Sequence, residues 1–497
     1  MSVASIFAIT AMLLILSIFF ILVINVNTAA QTIQQDYDSI EIYLEDDVTK
    51  EQANDIIMQV KEEKGVEDAY YKSKEAAMEN FRNRWGDNAY LLDSLNENPL
   101  PNSVVVMIGD LNYGDQIAKA CSQYDGVEDV KYYKDTVDKL LKMIRHAERP
   151  FLICGGGVVR GRAHKEFREF AEKLDCPVAI TVMGGGGFPG AHPLTTGMVG
   201  MHGTQASNTA CDQCDLLIAV GCRFSDRVAL DPASFASQAK IVQIDIDRSE
   251  IDKNILTDHH IIGSAKRVLE LLNQRVPQYH RDAWKEQILS LKREPEVETS
   301  QVLTPRQVLE TIRRMAPQDT IVATDVGQHQ MWSIQHFHFD YPGQLLTSGG
   351  FGTMGFGLGA AIGAKVGNPD KVVVHTTGDG CFRMNCHELA TVEHYHLPII
   401  TVIFNNGCLG MVRQWQNLLY HQRFSQTTLD RGPDFVKLAE AYGLKGFRVS
   451  TRAEMEQAFG QALQAGCGCV IDCRLDMDEM VRPMVAGGAH ITDFLLK

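Results

Sequence analysis

At 497 residues the chain is too long for one ordinary domain, and three or four are expected. Its 45% hydrophobic and 22% charged content is that of a globular protein. A net charge of −15 argues against nucleic-acid binding, which needs a basic surface to displace phosphate counterions. Acidic side chains clearly outnumber basic ones before residue 143 and nearly balance them afterwards. Cys121 stands alone in the first part, and the other eleven cysteines begin at Cys154 with irregular spacing, the usage of a reduced compartment. Cys211 and Cys214 form a lone C-x-x-C with no second pair or His cluster, and read as small buried hydrophobes.

The first 35 residues carry no charge, and Ile6 to Val26 is apolar throughout. About 21 residues at 1.5 Å each span a bilayer's hydrocarbon. A cleaved signal peptide would need a basic start and a shorter apolar run, so residues 1–28 predict a transmembrane anchor, with no flanking Lys or Arg to orient it.

Residues 29–143 predict a small α+β domain. IEIYL from Ile40 alternates as a half-buried strand, and Thr49 with Gln52 forms a capping box for a helix to about Lys64. Strands at Val66–Tyr71, Val104–Ile108 and Val127–Tyr133 follow, separated by helices from Lys74 and Tyr113. No His and no Gly-rich loop occurs here before residue 143. The segments DYDSIEIYLEDDVTKEQ and WGDNAYLLDSLNENPLPNS resemble the start of FtsX-like division permeases, a first membrane helix and its extracellular domain, over about residues 1–143.

From Arg149 the pattern changes to alternating buried strands and helices. Phe151–Cys154, Val178–Val182, Leu216–Val220 and Ile241–Ile246 are short apolar runs suited to a parallel sheet. A polar, Pro-containing stretch from Val276 to Pro305 reads as a linker. Strands at Ile321–Val326, Val372–Thr376, Ile399–Phe404 and Cys469–Cys473 then form a second series. The expected fold class is α/β: two consecutive doubly wound parallel-sheet domains, 144–300 and 301–497, preceded by one transmembrane helix and the α+β domain.

Ligands in such sheets sit at the carboxyl ends of the strands. Asp379 follows VVVHTTG and Asn406 follows IITVIFN, so two strands offer a carboxylate and an amide oxygen to one point. A hard cation such as Mg²⁺ takes oxygen ligands and shares phosphate oxygens. Gly378, Gly380 and Gly407 allow backbone to approach a phosphate. Gly327-Gln328-His329 follows another strand and places two polar side chains within reach. Gly349–Gly355 is a flexible run around Met354. A lone Gly-Asp-Gly is an ordinary turn; with Asn405-Asn406 twenty-four residues on, it resembles the metal–diphosphate clamp of thiamin-diphosphate enzymes.

LTSGGFGTMGFGLGAAIGA, NNGCLGMVRQWQ, MVGMHGT and VGCRFSDRV resemble acetolactate synthase large subunits, continuously over about residues 144–497. The resemblance implies thiamin diphosphate, held by Gly327, Gln328, His329, Gly352, Met354, Gly378, Asp379, Gly380, Cys381, Asn406, Gly407 and Met411. Asp379, Asn406 and the Cys408 carbonyl would hold Mg²⁺. Met354 would wedge the cofactor into a V, and the backbone at Gly352 and Met354 would meet its aminopyrimidine ring. Trp415, Met411 and Arg227 would bind 2-keto acids (pyruvate and 2-ketobutyrate), Trp415 favouring the larger acceptor. The middle domain would hold a non-redox FAD through Gly155, Gly156, His202, Gly203, Arg223, Asp226, Asp245 and Ile246. On the residues alone, Gly155-Gly156-Gly157 lacks the full dinucleotide spacing, and Asp245 and Asp247 could bond ribose hydroxyls or cap the next turn. Ser225 stands where the family usually has Asp.

The family's activating Glu lies in a His-Glu-Gln motif of a pyrimidine-binding domain, and neither that motif nor a Thr-Ser-Gly-Pro-Gly stretch occurs in this sequence. The expectation is an acetolactate synthase-type carboligase that is incomplete and makes no acetolactate alone. The family's shared sites imply a homo-oligomer, and its large subunits imply a regulatory small subunit. Another thiamin-diphosphate enzyme, such as a pyruvate oxidase or 2-keto acid decarboxylase, is one alternative. A membrane-bound FtsX-like division component with a catalytically dead C-terminal part is another. An extracellular domain joined to an enzyme of cytoplasmic type reads as a fusion near residues 141–147, which sequencing across codons 130–160 would test.

Overall fold

A computed structural model describes residues 39–85, 98, 100–108, 113–292 and 302–495. It divides into two compact units, Met1–Lys139 and Leu140–Lys497, with the helix Tyr133–His146 containing the division.

In the first unit, strand β1 (Ser39–Leu44) lies between β3 (Ser103–Ile108) and β4 (Val127–Tyr132), and β2 (Val66–Lys72) flanks β3. All three pairings are antiparallel. Thr49 and Gln52 form the capping box that starts the helix Lys50–Lys61, and that helix buries Ala53, Ile56 and Val60. With Ile40, Ile42, Leu44, Val104, Val106 and Ile117 they make the unit's core.

The expectation of a transmembrane helix is corrected here. Among the described residues no helix is long and apolar enough to cross a membrane. The longest, Tyr133–His146, has 14 residues, about 21 Å at 1.5 Å per residue against the roughly 30 Å of hydrocarbon. Residues 1–28, on which the anchor was placed, lie outside the described residues.

The second unit contains two six-stranded parallel sheets. The first is ordered β10-β9-β8-β5-β6-β7, with β5 Pro150–Cys154, β6 Val178–Ile180, β7 Thr195–Met198, β8 Leu216–Val220, β9 Lys240–Asp245 and β10 His259–Ile262. The second is ordered β12-β11-β13-β14-β16-β15, with β11 Ile321–Thr324, β12 Leu345–Thr347, β13 Val373–Gly378, β14 Ile399–Asn405, β15 Lys445–Val449 and β16 Cys469–Arg474. Every described pairing in both sheets is parallel, as an α/β class requires. Strands β5, β8 and β14 are buried along their whole length, which is why they read as unbroken apolar runs. A short hairpin, β17 (Met484–Val485) with β18 (Phe494–Leu495), follows.

Each sheet changes its winding direction at an inner crossover. In the first sheet the chain runs outward from β5 through β6 and β7 on one side, and from β8 through β9 and β10 on the other. In the second the reversal lies between β11 and β13. Doubly wound sheets open a crevice at such points, beyond the strands' carboxyl ends.

Candidate functional site

The second sheet's crevice is bordered by the residues after β11 and β13. Asp325 is 1% exposed and lies one residue beyond β11. Its carboxylate accepts hydrogen bonds from Gly357 N (2.9 Å) and Thr377 Oγ1 (2.8 Å) and sits 3.0 Å from His375 Nε2. These contacts hold its pKa well below the usual carboxylate range against the opposing effect of burial. Asp325 thus fastens the ends of β11 and β13 to the glycine-rich helix Phe356–Gly367, and places Gly327-Gln328-His329 at the crevice.

Asp379 directly follows β13, and Asn406 directly follows the adjacent β14, whose Phe404 is in register with Gly378. The Asp379 side chain is 1% exposed, and neither carboxylate oxygen has a hydrogen-bond partner. Burial, with a contribution from the Asp472 charge, raises its pKa to about 6 against the Arg383 charge and the nearby N–H groups of Gly380 and of Asp379 itself, neither of which makes a hydrogen bond of full geometry. A buried, unpartnered carboxyl is costly by itself and suits a site built for a cation. Asn406 is 8% exposed; its Oδ1 accepts only a long bond from Cys408 N, at 3.3 Å. The Asp379 charge acts on the Cys408 thiol, which burial above all raises to about 12. Among the described residues no three His, Cys, Asp or Glu side chains converge to hold a metal unaided. The oxygen set here fits a cation that takes further ligands from a diphosphate.

Asn405, the other half of the expected pair, turns away. It is buried, and its Nδ2 donates to Asp472 Oδ1. Gln328 also has its side chain engaged within the protein, accepting from Asn406 Nδ2 at 3.1 Å and donating to Gln414 Oε1 and Glu479 O, each at 2.9 Å. His329 is 4% exposed with Nε2 buried and unpartnered, and burial lowers its pKa to about 4, so the ring is neutral at pH 7. Gly407 has φ +70°, the left-handed turn that lets the chain leave Asn406. Gly378 packs against the His329 ring and Gly380 against Leu409, with the Met354 methyl 3.8 Å from where a Cβ on Gly380 would stand. Met354 is half-buried. The Cys381 thiol is 3% exposed and donates to Val326 O at 3.1 Å.

A cavity of about 1650 Å³ opens between the two sheets' carboxyl ends, well above the roughly 300–1,000 Å³ of an ordinary small-molecule pocket. Its wall brings together Gly156, His202, Arg223, Asp226, Arg227, Asp245 and Ile246 from the first sheet's domain with Gly327, Gly352, Met411 and Trp415 from the second's. Trp415 is half-buried, one side packed on the first domain's core. Burial lowers the His202 pKa to about 4 and raises that of Asp245. Asp247 Oδ1 accepts from Ser249 N at 2.9 Å and caps the next turn, the plainer of its two readings.

Gly155 and Gly203 are not on the wall. Gly155 sits where the loops after β5 and β8 cross, so that a Cβ there would overlap Gly221 O, and Gly203 leaves room for Asn208. Sequence reasoning missed Gln414, Asp325 and Asp472. The one signal for Gln414 was a polar residue at the buried position of the helix Gly410–Leu419, between Met411 and Trp415.

Residues 325–473 match the family described as thiamine pyrophosphate enzyme, C-terminal TPP binding domain, and residues 137–272 match its central domain. Residues 39–144 match the FtsX extracellular domain. A probable acetolactate synthase large subunit of Methanocaldococcus jannaschii is 44% identical over 371 residues, covering 72% of this chain and 63% of that protein. The acetolactate synthase large subunit of Haemophilus influenzae is 39% identical over 377 residues (74% and 66%), and the isozyme 3 large subunit of Escherichia coli is 38% identical over 377 (73% and 66%). The chain spans just under two thirds of the length of these relatives. Over its central and C-terminal domains the chain is a homologue of the acetolactate synthase large subunits, of the thiamin-pyrophosphate enzyme family, joined to an FtsX-type extracellular domain on its N-terminal side.

Proposed function

We propose that residues 144–497 hold thiamin diphosphate and Mg²⁺ for an acetolactate synthase-type carboligation. The observation that carries this reading is the Asp379 carboxylate, buried and without a partner at the end of β13, one strand from Asn406. In this reading Asp379, Asn406 Oδ1 and the Cys408 carbonyl ligate the cation. Neutral His329, with Nε2 unpartnered, hydrogen-bonds the diphosphate without adding charge. Gly327, Gln328, Gly378, Gly380, Cys381 and Gly407 shape its seat, and Gly352 and Met354 meet the ring. When bound, thiamin diphosphate supplies the electron sink through which one 2-keto acid loses CO₂ and joins a second.

Arg227, Met411 and Trp415 on the cavity wall would bind the 2-keto acids, with Trp415 favouring a larger acceptor. The volume of that cavity and its lining by Gly156, His202, Arg223, Asp226, Asp245 and Ile246 support a bound, non-redox FAD, with Gly155 and Gly203 shaping its seat from behind the wall. The large-subunit relatives support a regulatory small subunit as partner, and the chain itself is read as assembling into a homo-oligomer. The proposal concerns the cofactor-holding part of the site; no residue of this chain is assigned the role of activating Glu.

Calorimetric titration of the purified chain with thiamin diphosphate and Mg²⁺ tests it. Binding that Asp379→Asn abolishes is expected, with no acetolactate formed from pyruvate by the chain alone. Absence of binding would overturn the site, and turnover by the chain alone would overturn its reading as a partial one.

A further inference from the structure

Asn406 can serve a cation only through Oδ1, so the direction in which its amide faces decides whether it is a ligand. That direction is set from a distance by backbone groups. Val481 N donates to Gln414 Oε1 at 2.9 Å, and Gln414 Nε2 donates to Val481 O at 3.0 Å. A backbone N–H and C=O cannot exchange roles, so the Gln414 amide has one orientation. Its Oε1 also accepts from Gln328 Nε2, which donates in addition to Glu479 O. Two acceptors on that side turn Gln328 Oε1 toward Asn406, where it accepts from Nδ2 at 3.1 Å. Asn406 Oδ1 is thereby turned away from Gln328, where it keeps only the long bond from Cys408 N at 3.3 Å. Gln328 is 4% and Gln414 2% exposed, so water does not compete within the relay.

We infer that Gln414 is a positioning residue, orienting the metal-ligating amide of Asn406 through Gln328. The inference rests on the reading of Asp379 and Asn406 as metal ligands. It adds that the cation's ligand geometry is tied to the helix Gly410–Leu419, which also carries Met411 and Trp415 on the cavity wall. The start of that helix is fitted to the relay: a Cβ on Gly410 would overlap Gln328 Oε1.

The test is binding of Mn²⁺, read from the free-ion electron paramagnetic resonance signal, to the full chain with thiamin diphosphate. Gln414→Met and Gln328→Met are each expected to weaken Mn²⁺ about tenfold, and the double variant no further, because both break one path. A merely structural role would make the losses additive and track the fall in Tm. Gly410→Ala, whose Cβ would crowd both Gln328 Oε1 and Asn406 Nδ2 while keeping Gln414, breaks the same Gln328–Asn406 contact and gives the same loss should Gln414→Met fold poorly. Mn²⁺ affinity within twofold of wild type in Gln414→Met or Gly410→Ala, or additive losses, overturns the relay. Asp379→Asn separates the two readings: if it binds Mn²⁺ as wild type does, the metal assignment itself falls, whereas loss there with Gln414→Met unchanged removes the relay alone.

Discussion

Asn405 and Asp472 bridge β14 and β16 beneath the crevice, Asn405 Nδ2 donating to Asp472 Oδ1 at 2.6 Å with both side chains buried. The second carboxylate oxygen of Asp472 meets Arg448 Nε at 3.1 Å and Arg474 Nε at 3.3 Å. Asp472 is fully buried while both Arg side chains are partly exposed, so the carboxylate is the member that cannot be rehydrated if a partner is lost. Asp472→Ala leaves a buried amide unpaired and releases two guanidinium groups, and is expected to cost about 3 kcal/mol. Urea denaturation of the variant against wild type measures it; a change below 1 kcal/mol would show that the bridge does not hold these strands.

Asp379 makes the protein without its cation sensitive to pH in a defined direction. Its pKa is raised by burial from 3.8 to about 6. A carboxyl whose folded pKa is raised contributes stability below its unfolded pKa and loses it as pH rises through the folded one. The penalty is therefore absent below about pH 4 and complete above about pH 7, where it reaches about 3 kcal/mol. Asp379→Asn is expected to raise the stability of the metal-free chain by up to that amount at pH 8 and by nothing at pH 4. The same substitution should abolish the gain in Tm that wild type shows with Mg²⁺ and thiamin diphosphate. Thermal melts at the two pH values, with and without both ligands, separate the effects.

The centre of each sheet was legible in the sequence and the edges were not. Strands β5, β6, β8, β9, β11, β13, β14 and β16 read as apolar runs because they are covered on both faces. The four strands the sequence did not announce, β7, β10, β12 and β15, are the four edges of the two sheets. An edge strand is covered less and is specified by its neighbour, as the half-buried Leu345–Thr347 and the mixed pattern of Lys445–Val449 illustrate. The neighbouring placement of Asp379 and Asn406 was legible because each directly follows a recognisable strand. The residues that orient it were not, because Gln414 and Asp472 act on positions 86 and 67 residues away. Neither spacing nor composition reports such a contact.

Buried histidines give the opposite pH dependence. His202, His329 and His336 are each lowered to about 4, burial being the largest cause. A histidine kept neutral in the fold binds its proton on unfolding, so stability falls as pH drops from 6.5 toward 4. These three groups, against the one proton held by folded Asp379, contribute an excess of close to two protons to the unfolded chain near pH 5, and His164, His192 and His338, also lowered by burial, add to it. Their share of the slope is about 2.4 kcal/mol per pH unit. His336→Phe should flatten it by about 1.4 kcal/mol per pH unit. Urea midpoints between pH 4.5 and 6 check both numbers, and a slope that rises toward acid would contradict the assignment of neutral histidines.

Gly155 separates steric from conformational cost. It lies after β5 at the point where the first sheet reverses direction, and Gly155 N and Gly157 N donate to Val220 O and Gly221 O on the crossing loop, at 2.9 and 3.0 Å. A Cβ on Gly155 would overlap Gly221 O, which is backbone and cannot rotate aside. At Gly343, φ is +82° but nothing lies within 4 Å of an added Cβ, so only strain opposes a side chain there. Gly343→Ala is expected to cost about 1 kcal/mol, and Gly155→Ala about 3 kcal/mol or more because two loops must part. Parting them also distorts the floor beneath Gly156 and Gly157 on the cavity wall. If that floor seats the flavin, Gly155→Ala should lose FAD fluorescence quenching that Gly343→Ala retains. Equal destabilisation by the two variants would mean that the crossing relaxes at no cost, and that the close approach after β5 and β8 does not build the crevice.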